Sequence, residues 1–329
     1  MKQAILQMLI ENQGEYVSGE QISKTLHVTR TAIWKQIKNL KQEGYEIDSS
    51  PRLGYRLLSR PDILKPEEIK IGLATEILGR ELYVFEQVNS TNDLAKKKAA
   101  EGASHGTVVV ADQQLSGRGR LGRPWASPPG TGLWFSVVLR PPLKPFLAPQ
   151  LIFVSAVAVC HAIRDYTGLP VTIKWPNDIL FSGKKVCGIL TELSAEIDII
   201  NYVVIGIGIN VNQEMADFPP ELQEKAISLA VAGNTKYNRV GLLKAILKEL
   251  EKEYEIYLTE GFPAVLKHWR SLTSTLGQEV MVSSTDETFT GVAEDINGEG
   301  CLLVRTEDGN VRSVMVGDVS LRGKEGHYL

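Results

Sequence analysis

The first sixty residues alternate short apolar stripes with polar punctuation. Ala4–Ile10 places Ile5, Leu6, Leu9 and Ile10 at helical spacing. Ser18-Gly19-Glu20-Gln21 reads as a capping box opening a short helix through Leu26. Thr29 caps a third helix that runs to about Glu43 and stops at Gly44. Along that helix Ile33, Ile37 and Leu40 share one face, while Thr31, Trp34, Lys35 and Lys38 share the other. Tyr45–Asp48 and Gly54–Leu58 then read as two strands around a Ser-Ser-Pro-Arg turn. Helix, helix, turn, helix and hairpin predict a winged helix-turn-helix over residues 1–60. Ser59-Arg60-Pro61 and Lys65-Pro66 bracket a linker at 61–66.

Beyond the linker the periodicity changes, and a mixed α/β domain is expected over 67–272. Strands are predicted at Leu82–Val88, Thr107–Asp112, Leu133–Leu139, Val171–Trp175, Val186–Leu193 and Tyr202–Val211. Long helices are predicted at Phe146–Tyr166 and Arg239–Tyr257, the latter with Leu243, Leu247, Leu250, Tyr254 and Tyr257 on one core-facing stripe. Over 273–329, Gln278–Ser283, Thr288–Asp295, Cys301–Thr306 and Val311–Val316 read as four short strands. Asn297-Gly298 and Asp308-Gly309 mark hairpin turns between them, and a small SH3-like β-barrel fits. The fold class is α+β multidomain.

A chain of 329 residues is too long for one simple core. Its net charge of −3 hides an asymmetry: nine Lys/Arg against six Asp/Glu in residues 1–60, and 27 against 33 in the remainder. The basic end points to nucleic acid. A recognition helix starting at Thr29 would set Arg30, Thr31, Trp34, Lys35 and Lys38 against DNA, with Arg52 at the hairpin tip reaching phosphate or the minor groove. A protein-docking module is the alternative, because an exposed Trp34 suits either partner. Cys160, Cys187 and Cys301 are too few and too widely spaced for a disulfide framework, and the five histidines, His27, His105, His161, His268 and His327, form no metal-ligand spacing. No protein-held structural metal is expected. Residues 1–11 lack the hydrophobic segment of a signal peptide, and apolar runs such as Leu151–Cys160 are too short to cross a bilayer. A cytoplasmic protein without a membrane partner is expected.

The most informative stretch is Ser116-Gly117-Arg118-Gly119-Arg120-Leu121-Gly122-Arg123. Gly117, Gly119 and Gly122 formally match a dinucleotide fingerprint, but that motif must open a helix. Pro124-Trp125-Ala126-Ser127-Pro128-Pro129-Gly130 follows instead and cannot continue as one. Arginines alternating with glycines on a mobile loop suit a phosphate or carboxylate ligand, because guanidinium groups bind both in a forked geometry. Three clusters support this. Asn89-Ser90-Thr91-Asn92-Asp93 joins a strand to a helix, and its side chains can cap the helix or hold a polar ligand head. Lys174-Trp175-Pro176-Asn177-Asp178 precedes Lys185 across a Ser182-Gly183 turn. Gly206-Ile207-Gly208-Ile209-Asn210 ends an apolar strand with two glycines where a ligand can approach the backbone.

Together, GRGRxGR, KWPND and GIGIN in this order resemble the biotin–protein ligases, and more closely the bacterial bifunctional biotin ligases that also repress biotin genes. The likeness covers the whole chain. It implies a biotin/lipoate-ligase type catalytic domain, with biotin, ATP and Mg²⁺ giving biotinyl-AMP and then a biotinylated lysine on a biotin carboxyl carrier protein. It implies binding of biotin and its adenylate by Ser90, Thr91, Asn92, Gln114, Gly117, Arg118, Gly119, Arg120 and Lys185. Gly188 would join them, Gly206 and Gly208 would floor the pocket, and Trp125 would close it. Asp178 and Asn210 would serve the nucleotide and Mg²⁺, and Lys185, Arg118 and Arg120 would be catalytic. Operator DNA and a ligand-induced homodimer complete the expectation. One position departs from the pattern: Ile227 stands where threonine is usual, which puts a hydroxyl contact to the adenosine in doubt.

The chemistry so implied needs no covalent enzyme intermediate. A carboxylate needs no base, and the demand is to neutralise charge and align the reactants. The reactive anhydride must then be shielded from water, which gives the glycine-arginine loop a second role as a lid. Rival readings are a lipoate ligase or acyltransferase, which do not usually carry the triple-arginine loop, and a small-molecule-sensing repressor with a dead ligase domain. Arg118, Arg120, Arg123 and Lys185 all stand where a working ligase needs them.

Overall fold

Helices α1 (Lys2–Glu11), α2 (Gly19–Leu26) and α3 (Arg30–Gln42), followed by strands β1 (Glu46–Ser50) and β2 (Gly54–Ser59), build the N-terminal part of the chain. The computed structural model describes residues 1–12, 14–284, 287–315 and, for the backbone, 320–323. It divides into two units, Met1–Ile71 and Gly72–Leu329. Val316, placed above in a strand, and His327 lie outside the described residues.

In the first unit Ser18 Oγ accepts the Gln21 amide at 3.0 Å and Thr29 Oγ1 accepts the Ala32 amide at 3.2 Å, so both predicted caps form. Ile5, Leu9, Ile22, Ile33, Ile37, Leu40 and Ile47 close the core. Gly54 makes the hairpin possible: its φ is +106°, and a Cβ there would lie 2.1 Å from the Val17 carbonyl. After the hairpin, residues 61–65 carry no regular secondary structure and lead into α4 (Pro66–Lys70), whose buried Glu68 accepts the Tyr45 hydroxyl and pairs with Arg60 at 2.6 Å. A buried carboxylate left without either partner would be costly, which fixes this helix to the N-terminal core.

The second unit opens with β3 (Leu82–Val88), α5 (Thr91–Ala100), β4 (Val108–Gln114) and β5 (Leu133–Leu139). It continues through α6 (Leu151–Thr167), β6 (Thr172–Lys174), β7 (Asp178–Phe181), β8 (Lys184–Ala195) and β9 (Ile200–Ile209), and then α7 (Leu229–Gly233), α8 (Arg239–Glu260) and α9 (Phe262–Leu272). The seven strands align in the order β3-β4-β5-β9-β8-β7-β6. Only β3 and β4 run parallel; the other pairs are antiparallel. Every residue of β5 is buried, so both faces of the sheet are covered. Ala95 and Ala99 of α5 pack on Val109, Val138 and Val204, and α6 packs against α8 and α9.

Three expectations need correction. The predicted helix Phe146–Tyr166 begins as a 3₁₀ turn, Pro145–Gln150, because Pro149 cannot donate to an α-helical ladder. Together Pro145–Thr167 spans 23 residues and is long and apolar enough to cross a bilayer, contrary to the reading of its apolar run as too short. It is mostly buried inside the unit, as a helix apolar all round is when it forms a core. The strand β7 and helix α9 were not predicted.

The C-terminal strands β10 (Glu279–Ser283), β11 (Thr288–Ile296), β12 (Leu302–Arg305), β13 (Val311–Val314) and β14 (Ser320–Gly323) form an antiparallel sheet in the order β13-β12-β11-β10-β14. This is the SH3-like domain, seen among the described residues as a five-stranded sheet rather than a closed barrel.

Glu81, at the start of β3, gives the unit a pH-dependent tether. The Thr107 hydroxyl, the Ser104 amide and the Tyr83 hydroxyl donate to it at 2.7, 2.9 and 2.8 Å and hold its carboxyl down to about 2. A depressed folded-state pKa stabilises above the unfolded value, and that stability drains away as pH falls towards the folded value. Glu81→Gln should therefore lower the urea midpoint at neutral pH, and its gap to wild type should narrow from about pH 5 to about pH 3. A gap that widens with acid would contradict the assignment.

Candidate active site

Strand register places the glycines. Trp134 of β5 pairs with Gly208 of β9, which pairs with Gly188 of β8, while Ser136 pairs with Gly206, which pairs with Leu190. Alternation puts Trp134, Ser136, Gly188, Gly206 and Gly208 on the face that carries α5. The missing side chains leave room for neighbours: a Cβ at Gly206 would lie 2.0 Å from Asn92 Oδ1, and one at Gly208 would lie 2.7 Å from Trp125 Nε1. Above this floor is a cavity of about 460 Å³.

At one end, α5 starts. Ser90 Oγ caps it by accepting the Asp93 amide at 3.3 Å, so the capping reading of this cluster holds alongside its place in the cavity wall. The Thr91 amide and hydroxyl both donate to Gln114 Oε1, at 2.8 and 3.0 Å, and Gln114 Nε2 donates to Ser127 Oγ at 2.9 Å. Ser136 Oγ donates to Asn92 Oδ1 at 2.6 Å, and Asn92 Nδ2 donates to Glu192 at 2.7 Å. These side chains are largely buried and held from behind, which pre-orients their free faces toward a ligand.

The other end is cationic. Lys185 Nζ lies 2.5 Å from Asp178 Oδ1 and 5.1 Å from the centre of the Trp125 ring. Lys174, only 2% exposed, also lines the cavity; the sequence reading placed it in the Lys174–Asp178 cluster without giving it a role of its own. Asn210 donates to the Lys185 and Ile227 carbonyls at 3.4 Å. Phe218, Leu222, Lys225 and Ala226 close this end. No periodicity marks Phe218 and Leu222, which the sequence reading missed, whereas Lys225 and Ala226 belong to the stretch around Ile227 that the resemblance linked to the adenosine. Ile227 itself does not line the cavity; its amide donates to the Lys185 carbonyl at 3.0 Å.

The glycine-arginine segment is a narrow hairpin rather than an open loop. Bridges pair Gln114 with Ser127 and Arg118 with Pro124, and the Gly119 amide donates to the Arg123 carbonyl at 2.8 Å. Arg118 pairs with Asp93, and Arg120 donates to Asn177 Oδ1 at 3.1 Å. Arg118, Gly119, Arg120 and Arg123 face the cavity, but Gly117 does not line it. A Cβ on Gly117 would lie 2.7 Å from the Trp125 carbonyl, so the glycine serves the hairpin's own close approach. Trp125, expected to close the pocket, lines it and lies against Gly188 and Gly208. Every other cavity residue expected from sequence converges here: Ser90, Thr91, Asn92, Gln114, Arg118, Gly119, Arg120, Trp125, Asp178, Lys185, Gly188, Gly206, Gly208 and Asn210.

In the first unit, Thr31, Trp34, Lys35 and Lys38 are exposed along α3, with Trp34 at 57% and Lys38 Nζ 5.6 Å from its ring centre. Arg30 is exposed near Glu20 at 3.8 Å, and Arg52 is exposed at the hairpin turn. Thr29, expected to face DNA, also spends its hydroxyl oxygen as the helix cap.

A glycine floor, a ring of cations and an arginine hairpin define a group-transfer enzyme built for an anionic, nucleotide-like ligand, carried on a chain with a helix-turn-helix unit. Comparisons with known proteins specify it further. The family model of the biotin/lipoate A/B protein ligase family matches residues 84–210, an HTH domain model matches 2–56, and the biotin protein ligase C terminal domain matches 275–322. The Bacillus subtilis bifunctional ligase/repressor BirA is 41% identical over 98% of both chains, and the Escherichia coli bifunctional ligase/repressor BirA is 32% identical over 95% of both. A biotin protein ligase from Aquifex aeolicus, solved with biotin and ATP, superposes with a TM-score of 0.65 at 33% identity, covering 74% of this chain and all of that one. The chain belongs to the biotin protein ligases, in the family of bifunctional ligase/repressors.

Proposed function

We propose that this chain condenses biotin with ATP to biotinyl-5′-AMP and pyrophosphate, passes the biotinyl group to a lysine of a biotin carboxyl carrier protein, and represses operator DNA as a homodimer with the adenylate bound. The observation that carries this reading is the single cavity that joins the hydrogen-bonding end at Ser90, Thr91, Asn92 and Gln114 to the cationic end at Lys174 and Lys185. The first end suits the ureido head of biotin over the glycine floor; the second suits the nucleotide phosphates. In this reading residues 1–60 bind DNA, 67–272 form the ligase and 273–329 the C-terminal domain. The buried thiols Cys160, Cys187 and Cys301 suit a reducing cytoplasm.

In the first step an oxygen of the biotin carboxylate attacks the α-phosphorus and pyrophosphate leaves. Lys185, Arg118 and Arg120 offset the charge gathered there. In the second, a carrier lysine amine attacks the anhydride carbonyl and AMP leaves. One carboxylate, Asp178, and the amide oxygen of Asn210 make a donor set that suits Mg²⁺, an ion held largely by substrate phosphates; when bound it supplies further charge neutralisation. Pyrophosphate exchange with biotin, lipoate or octanoate supplied in turn tests the reading. Exchange driven by lipoate or octanoate and not by biotin would overturn it.

Two substitutions probe the cavity. Gly206→Ala pushes a methyl into Asn92 and breaks its bonds to Ser136 and Glu192, so biotin affinity should fall by about tenfold or more, read by calorimetry. Arg118→Gly removes the clasp on Asp93 at the base of the hairpin. It should release biotinyl-AMP faster while slowing its formation less, so that free adenylate labels nearby lysines indiscriminately. Trapping the adenylate and timing its release checks this, and unchanged release would count against the lid role.

A further inference from the structure

Behind the sheet, on the helical layer, the chain gathers groups that ligase chemistry does not use. Glu249 and Glu253 sit one turn apart on α8, which puts both carboxylates on one face. His161 of α6 faces them: one ligand atom from each of His161, Glu249 and Glu253 lies within 4.8 Å of the others. Glu253 is the group that calls for an explanation. Its side chain is only 1% exposed, and its Oε1 has no hydrogen-bond partner among the described residues, with His161 Nδ1 at 3.7 Å. Its other oxygen is held by His268 Nδ1 of α9 at 3.0 Å. A buried carboxylate oxygen left unsatisfied costs free energy unless something else meets it.

We propose that His161, Glu249 and Glu253 bind a divalent transition cation of the zinc or manganese class, with His268 fixing the orientation of Glu253 from behind. One imidazole and two carboxylates suit that class; the imidazole disfavours Ca²⁺ and Mg²⁺, and the absence of thiolate from the set disfavours soft ions. The two carboxylates supply the charge that a dication neutralises, and the His268 contact matches the outer hydrogen bond by which proteins orient a metal ligand. Entry is open, because the His161 ring is partly exposed and Glu249 pairs at 2.9 Å with Lys252, itself 57% exposed. The ion would join α6 to α8 and stabilise the helical layer without touching the cavity. The spacing of histidines along the sequence gave no sign of it, because the ligands are contributed by separate helices.

The test titrates the full chain with Zn²⁺ and, for a spectroscopic signature, with Co²⁺, in buffer free of ATP and biotin. One ion per chain is expected, with cobalt ligand-field absorption in the visible and a rise in Tm of about 5 °C at saturating metal. His161→Gln and Glu249→Gln should each weaken binding by at least about tenfold and abolish the Tm rise, while leaving ligase activity in the absence of added transition metal unchanged. These two variants are preferred because both sites are partly exposed, whereas Glu253→Gln alters a fully enclosed position and adds a stability change of its own. No binding below about 100 µM, or binding that survives unchanged in both variants, overturns the proposal.

Discussion

Lys185→Ala is expected to slow biotinyl-AMP formation by about two to three orders of magnitude, roughly 3–4 kcal/mol of transition-state stabilisation, while the chain stays folded. The size follows from where the ammonium sits. Lys185 Nζ is held at 2.5 Å by Asp178 and lies beneath the Trp125 ring, so the cation is in place before charge gathers on the α-phosphorus and little reorganisation is needed. The fold should survive because the residue's structural work is done by its backbone. Its amide donates to the Lys225 carbonyl at 2.8 Å, and its carbonyl accepts from Ile227 at 3.0 Å. Alanine keeps both. The variant also takes the Lys185 ammonium away from Asp178, whose carboxylate then lies near the phosphates with less charge to offset it, so part of the loss is repulsion rather than missing attraction. Lys185→Ala combined with Asp178→Asn separates the two, since activity recovered in the double variant measures the repulsive share. Single-turnover adenylation in a folded Lys185→Ala protein that matched wild type would remove Lys185 from the chemistry altogether.

What could be read from sequence depended on whether a feature is local. Leu82–Val88 and Leu133–Leu139 are short, mainly apolar runs, and both strands form with those bounds. The caps at Ser18 and Thr29 are local chemistry, and both form. Asp178–Phe181 was missed because a four-residue strand leaves too short a period to register. Phe262–Leu272 was missed although Pro263 stands at its first turn, where proline is tolerated. Site residues followed the same rule. Those in compact motifs converge on one cavity, whereas Phe218, Leu222 and Lys225 reach it only because the chain returns alongside Lys185. Gly117 is a motif position that does not line the cavity and whose missing side chain serves the hairpin's close approach. The cluster of His161, Glu249 and Glu253 is invisible to any spacing rule, since 88 residues separate the histidine from the first glutamate.

Operator affinity is expected to rise by about a hundredfold when biotin and ATP are supplied together, through dimerisation rather than through any new contact to DNA. The exposed face of α3 offers Arg30, Lys35 and Lys38, with Arg52 on the hairpin, and residues 1–60 carry a surplus of only three positive charges. If those four cations meet phosphates, one unit neutralises about four charges, which gives binding that is weak and strongly salt-dependent. Two units on two half-sites roughly double the contacts, so the salt slope should steepen by about twofold on adding ligand. The ligand can supply the coupling through the hairpin 116–127. The segment meets the rest of its unit through Arg118 on Asp93, Arg120 on Asn177 and Trp125 on Gly188 and Gly208. An adenylate gives its arginines a phosphate to hold, so ordering that an interface would otherwise have to supply is already in place. A coupling of about 3 kcal/mol corresponds to the expected change in dimer affinity. Carrier protein should reverse the effect by consuming the adenylate, and Lys185→Ala should fail to respond to biotin and ATP yet still respond to biotinyl-AMP added directly. Sedimentation and footprinting with and without ligand decide the matter: a chain that dimerises and protects its operator equally well in both conditions would sink the coupling, however active its ligase.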